Sequence, residues 1–202
     1  MNYQEILIEC AKNHDIHNIN GVDFWMKTED LLFIIQDRPV PPARTWRCCF
    51  KPLYSDEVFW RIAEVKLPSV TWEDFQKKGT SRRVNGVQVA PSKKLSFCTY
   101  QLPSSEEEIR ALYENKILEF LDMVKNIKET DYKTDAELSM INILRAIHEK
   151  DYARAKKLAT KIISFEIPPF RVNKYPEDEV MLSDYYPIWK DSILKYLQKI
   201  QE

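Results

Sequence analysis

Glycine is nearly missing from this sequence: in 202 residues only Gly21, Gly79 and Gly86 occur, and they do not cluster. Phosphate-cradling loops need clustered glycines so that backbone amides can approach the anion. Dinucleotide-fold, Walker-type and kinase readings are therefore excluded. Long apolar runs are missing as well. The longest, residues 31–35, is far short of the roughly 20 residues that span a bilayer as a helix. Glu5 and Glu9 interrupt the first residues, and no basic stretch precedes an apolar core. That segment does not read as a secretory signal, so the expectation is a cytoplasmic protein with no membrane partner. The four cysteines, Cys10, Cys48, Cys49 and Cys98, show no C-x-x-C pair and no metal-ligand spacing, which reads as buried, reduced thiols without a disulfide framework. Excess charge of one sign is absent too: 30 basic residues face 31 acidic ones. There is no global field to draw nucleic acid or an anionic membrane.

Against these absences stands an apolar fraction of 44%, with 5 tryptophans, 10 tyrosines and 9 phenylalanines. That is enough for a sizeable core, and it excludes a disordered chain. The spacing predicts a helix over residues 2–12, with Ile6, Leu7 and Cys10 on one side. Strands are expected at 22–27 and 30–36, joined at Thr28-Glu29. The prolines at 39, 41 and 42 then mark a stop and a stiff loop. Residues 44–51 alternate, with Trp46, Cys48 and Phe50 on one face and Arg47, Cys49 and Lys51 on the other, a strand with one buried face. Ser55-Asp56-Glu57 reads as a helix start, and Thr71-Trp72-Glu73-Asp74 as another. Residues 77–94 are basic and carry no acid, and read as a mobile loop with a weak strand at 84–89. A last strand is expected at 95–102. Beyond Pro103 the pattern is helical. Ser105-x-x-Glu108 and Thr134-x-x-Glu137 read as capping boxes. The first opens an apolar face of Ile109, Leu112, Tyr113, Leu118, Phe120, Leu121 and Val124. Asp151 starts a further helix that Pro168 and Pro169 stop, and the helices meeting at Glu149–Tyr152 read as an αα-hairpin. A final helix is expected over 186–200. The fold class is α+β: a small antiparallel sheet of four to five strands in residues 1–103 and an all-helical half in 104–202, together forming one domain.

Few constellations suggest chemistry. Cys10, His14 and His17 lie within eight residues, but Asn13 and the asparagines at 18 and 20 end the helix that would align them, and no fourth ligand follows. No metal or cofactor is expected. Asp56, Glu57, Glu73 and Asp74 form two carboxylate pairs, a pattern that can serve acid–base work but more simply complements helix dipoles. His148 falls near a helix end, with no serine in an elbow context. Cys98 has no sequence-adjacent base. Arg82, Arg83, Lys93 and Lys94 could touch phosphates, yet no aromatic residues interleave with them as single-strand binding would need. The tryptophans say more. Phe24 and Trp25 are consecutive on a strand, and Phe59 and Trp60 on a helix, so one member of each pair is expected to be open to solvent. Exposed tryptophans are common anchors at protein interfaces. Trp25, Trp60 and Trp72 are the expected partner-binding residues, while Trp46 belongs to the core.

The order of the strand at 31–36, the strand leading from Trp46 to Leu53, and Asp56-Glu57-Val58-Phe59-Trp60 resembles bacterial α+β families in which a Lys-Pro-Leu turn precedes an acidic helix start. Some of those families are similar to immunity proteins that neutralise polymorphic toxins. The resemblance covers about the first 65 residues and carries over no functional residue. It implies a non-enzymatic module that binds another protein. The competing expectations are a hydrolase whose site is assembled from residues distant in sequence, and weak nucleic-acid binding through residues 77–94.

Overall fold

A computed structural model of the chain describes residues 2–18, 21–64, 92–133, 140–164 and 186–200; the side chains of Asp56, Trp60 and residues 63–64, 162–164 and 186–191 are outside that description. The chain divides into two compact units, Met1–Phe50 with Lys94–Asp131, and Lys51–Lys93 with Tyr132–Glu202. This division does not follow the sheet-then-helix halves of the sequence. The long helix after Pro103 belongs with the sheet, and the helix after the fourth strand belongs with the later helices.

The first unit is built on a five-stranded antiparallel sheet in chain order, β1 (His17–Asn18), β2 (Asp23–Lys27), β3 (Leu31–Val40), β4 (Ala43–Pro52) and β5 (Lys93–Tyr100). β2 and β3 pair with Phe24 opposite Ile35 and Trp25 opposite Ile34. Their connection closes where the Thr28 amide donates to the Leu31 carbonyl at 2.9 Å and the Leu31 amide returns to Thr28 Oγ1 at 3.3 Å. β3 does not stop before Pro39, as the sequence suggests, but runs on to Val40. Arg38, Pro39 and Val40 are exposed at the end of the hairpin, where a missing ladder N–H costs least. Only Pro41 and Pro42 form the turn.

β4 departs from its expected single buried face. From Cys48 to Pro52 every residue is buried, including Cys49 and Lys51, because an inner strand of a sheet is covered more fully than an edge. Helices α1 (Tyr3–Lys12) and α3 (Glu106–Asn126) complete this unit. α3 opens with the capping box at Ser105 and Glu108. Its buried stripe is Ile109, Tyr113, Lys116, Ile117 and Phe120. Leu118 is 53% exposed, since it sits about 100° around the helix from Ile117. The Phe33 ring on β3 packs between Phe50 and Phe120, with centroids 6.2 and 6.0 Å away.

The second unit gathers α2 (Leu53–Glu64), α4 (Met140–His148), α5 (Tyr152–Ser164) and α6 (Tyr186–Lys199) around an apolar core that includes Phe59, Ile62, Ile143, Leu144, Ile193 and Leu197. α2 begins two residues before the expected Ser55 cap. Ser55 lies inside the first turn and donates back to the Pro52 carbonyl at 2.6 Å; a serine hydroxyl can donate backwards as readily as it can cap. Asp151 does cap α5, accepting the Arg154 amide at 3.0 Å. The expected strand at 84–89, the helix start at 71–74, the box at 134–137 and the prolines at 168 and 169 lie outside the described residues.

Candidate functional site

Along β3 the inward-facing positions Leu31, Phe33 and Ile35 are followed by Asp37, and along β4 the inward positions begin with Arg44. Alternation thus drives one acid and one base into the core of the first unit. Both are buried, Asp37 completely. The two-residue turn brings them together. Arg44 Nε donates to Asp37 Oδ1 and Oδ2 at 3.1 and 3.0 Å, and its Nη2 reaches Oδ2 at 2.8 Å and the Asp37 carbonyl at 3.2 Å. Tyr100, the last residue of β5, donates to Oδ1 at 2.5 Å, and Tyr113 of α3 to Oδ2 at 3.2 Å. The Tyr3 ring of α1 lies under the guanidinium, 4.3 Å from its carbon.

Burial pushes both phenols well above their ordinary range, and the Asp37 carboxylate pushes them further. Burial alone would lower Arg44, but the hydrogen bonds and charge of Asp37 outweigh it and move the guanidinium up. A buried carboxylate that accepts from one guanidinium and two phenols has its lone pairs filled. It cannot take a substrate's proton without losing a donor. Its chemistry is to hold three strands and a helix in one register.

Lys116 lies one turn further along α3 and is 9% exposed. Its Nζ is 3.2 Å from Cys98 Sγ, 4.2 Å from the centroid of Tyr100 and 5.7 Å from that of Trp46. No carboxylate among the described residues pairs with it. The ammonium is held by ring faces and a sulfur, a weak set of partners for a charge so nearly buried. It sits against β5, the last strand in the order among the described residues, where Phe97 is 56% exposed and Cys98 and Thr99 are exposed too. The thiols are thus not all buried, as the sequence reading has them: Cys10, Cys48 and Cys49 are, and Cys98 lies open on the edge, with all four free. Cys48 is pushed up to about 12, chiefly by burial.

The residues nominated for a metal part company. His14 Nε2 is 2.9 Å from Glu114 Oε2 of α3, while His17 stacks on Trp25 with centroids 4.4 Å apart. Cys10 is buried and pushed up to about 11, first by burial and then by its hydrogen bond to Glu114. That bond and the one from His14 hold Glu114 below its ordinary value, with His14 the larger influence. The carboxylate stands between thiol and imidazole, so the ring cannot activate the sulfur. Among the described residues no three histidine, cysteine or acidic side chains form a metal set. His148 stacks on Tyr54, ring on ring at 3.6 Å.

Of the expected partner-binding tryptophans, Trp25 is half-buried beside a fully buried Phe24, and Trp46 is in the core. Trp72 and the side chain of Trp60 lie outside the described residues, as do Arg82, Arg83, Glu73 and Asp74. Lys93 donates to the Lys133 carbonyl at 2.7 Å, and Lys94 is half-buried on β5. Sequence reasoning missed Asp37, Arg44, Tyr100, Tyr113, Lys116 and Phe97. The signal for the first two was present: each continues the inward parity of an apolar strand. No helix among the described residues is long and apolar enough to cross a membrane. Comparison with protein-family models, curated proteins and solved structures finds no match to this chain.

Proposed function

We propose that the protein is a non-enzymatic module that binds another protein, and that it does so along β5. One observation carries this reading: among the described residues β5 ends the strand order, and Phe97, Cys98 and Thr99 are exposed on it. An open sheet edge offers unpaired N–H and C=O groups to another chain. A large exposed ring beside it adds the apolar contact on which interfaces depend. The polar cluster behind β5 supports the same reading, because it fixes the end of the strand from the inside through the bond of Tyr100 to Asp37. The expected anchors shift accordingly from the tryptophans to Phe97. An immunity-type role rests on the resemblance over about the first 65 residues alone and would make the partner a toxin domain.

The test uses the exposed thiol. A photo-crosslinker attached to Cys98 is activated in lysate of the source organism, and adducts are resolved by mass. The expected result is one discrete protein adduct that disappears on Phe97→Glu. A smear of adducts indifferent to that change would sink the reading.

A further inference from the structure

The surroundings of β5 say what kind of segment fits it. β5 contains two lysines, Lys93 and Lys94, and no acid. Alternation divides its side chains: Lys94, Ser96, Cys98 and Tyr100 on one face, Leu95, Phe97 and Thr99 on the other. The first face is the one on which Lys116 rests, since its Nζ contacts both Cys98 and the Tyr100 ring. That ammonium is nearly buried, and no described carboxylate balances it. The cation deeper in the sheet, Arg44, is already matched by Asp37. The Lys116 ammonium against this strand therefore has no charged complement among the described residues, and β5 carries an exposed phenylalanine on the face away from Lys116.

We propose that β5 receives an extended, acidic segment of a partner protein, which adds a sixth strand to the sheet. This rests on the protein-binding reading and narrows it. Backbone groups on the open side of β5 supply the hydrogen bonds, as in other strand additions. Side chains supply the choice. An incoming strand with acids at alternate positions sets them beside Lys116, where the ammonium gains a charged acceptor in place of a thiol and two rings. Its intervening apolar residues lie over Leu95 and Phe97. The favoured ligand thus alternates acid and aliphatic residue over about eight to ten positions, the length of the strand it pairs with. A second copy of this chain fits less well, because β5 would bring two lysines and no acid to the pairing.

The probe is a fluorescein-labelled peptide of about ten residues alternating glutamate and valine, long enough to cover the 8 residues of β5. Controls replace the glutamates by lysine, or group the glutamates at one end. Binding to the full chain is read by anisotropy across a salt series, and independently by the rate at which maleimide labels Cys98. The alternating acidic peptide should bind at least roughly tenfold more tightly than either control, the equivalent of one good charged contact. It should also slow Cys98 labelling. Successive strand residues turn their N–H groups to opposite sides, so one of Phe97→Pro and Cys98→Pro blocks the open edge without touching the bonds to β4. That variant should lose the peptide while keeping its thermal transition. Lys116→Met should weaken binding and flatten its salt dependence, and Lys116→Arg should restore both.

Equal binding of the lysine peptide would overturn the proposal, as would binding indifferent to both prolines. A concentration-dependent dimer in light scattering, abolished by the same proline, would assign the edge to a second copy and overturn it as well. If Cys98 captures a partner in lysate but the acidic peptide does not bind, this inference fails and the protein-binding reading stands. If neither occurs, both fail.

Discussion

The two units of this chain are held together by different means. The second buries aliphatic and aromatic side chains from four helices, with Ile143, Leu144 and Ile193 almost wholly enclosed. The first buries a comparable set of rings but threads an ionic cluster through them: Asp37, Arg44 and the phenols of Tyr100 and Tyr113, with Lys116 beside it. A helical core tolerates small shifts in packing, because apolar contact is non-directional. A sheet does not, since a one-residue slip turns every side chain to the other face. Asp37 can satisfy Arg44, Tyr100 and Tyr113 in one register only. The charge cluster belongs where register matters.

Breaking the cluster gives the largest expected effect. Asp37→Ala leaves a buried guanidinium unpaired and two phenols without their acceptor, which costs about 3–5 kcal/mol. Leu144→Ala in the helical unit leaves a cavity costing a comparable 2–5 kcal/mol, roughly. The two losses differ in how they can be repaired. Removing both charges, Asp37→Leu with Arg44→Met, should recover at least half of the Asp37→Ala loss, because an unpaired charge is worse than none. No second deletion repairs the cavity. Urea midpoints for the three variants decide the matter. A cost below about 1 kcal/mol for Asp37→Ala, the scale of an exposed pair, would mean that the cluster is not closed to water.

The second way to sharpen the contrast is alkali. Cys10, Cys48, Tyr100 and Tyr113 all have folded-state values raised above their ordinary ones, with burial the leading cause. All four belong to the first unit. A raised value means that the folded state holds its proton longer than the unfolded chain does. The stability this contributes is complete below the unfolded value, and it is lost as the pH rises through the folded one. For Cys10 and Cys48 that window opens near 9 and extends to about 11 and about 12; the phenols join from about 10. Unfolding midpoints should hold steady to pH 8.5 or so and fall at about 10.5, with no phenolate absorbance from Tyr100 or Tyr113 before unfolding. Thiolate absorbance from native Cys48 near pH 9 would contradict the burial that the fold gives it.

What was legible in the sequence was local. The α3 capping box, the buried stripe of α1 and the parity of Trp46, Cys48 and Phe50 each follow from neighbours a few residues apart. The misreadings share another cause. Pro39 reads as a stop because a strand interior cannot spare its N–H, but at the end of a hairpin it can. Ser55 reads as a cap because its hydroxyl can accept; here it donates to Pro52. α3 does lie in the helical half, as its spacing has it; what that spacing does not carry is that Phe120 and Tyr113 face the sheet. The exposure of Phe97 depends on where β5 falls in the order of the described strands, and no local spacing carries that. Trp25 is the intermediate case: its partial burial follows from its pairing with Phe24, while the His17 ring over it comes from the unexpected β1.

The smallest expected effect compares one motif present in both units. α1 and α4 end in the same way. Beyond α1 the Ile16 amide returns to the Ala11 carbonyl and the Asp15 amide to Lys12; beyond α4 the Asp151 amide returns to Ala146 and the Lys150 amide to Ile147. This pair of bonds needs a left-handed residue at the turn, and Asp15 and Lys150 supply it at φ 57° and 60°. Aspartate enters that region with modest strain, whereas an unbranched cation has no local bond to offset its Cβ clash. Lys150 is exposed, and its side chain makes no hydrogen bond or ion pair among the described residues. Lys150→Gly therefore removes strain and little else. Glycine's extra unfolded-state entropy and the lost cation at a helix C-terminus offset part of the gain. The net should be a stabilisation of about 0.5 kcal/mol. Asp15→Gly should gain less, or nothing. Thermal midpoints of the two variants test the ranking, and a Lys150→Gly protein that melts earlier than its parent would show that the turn is not strained.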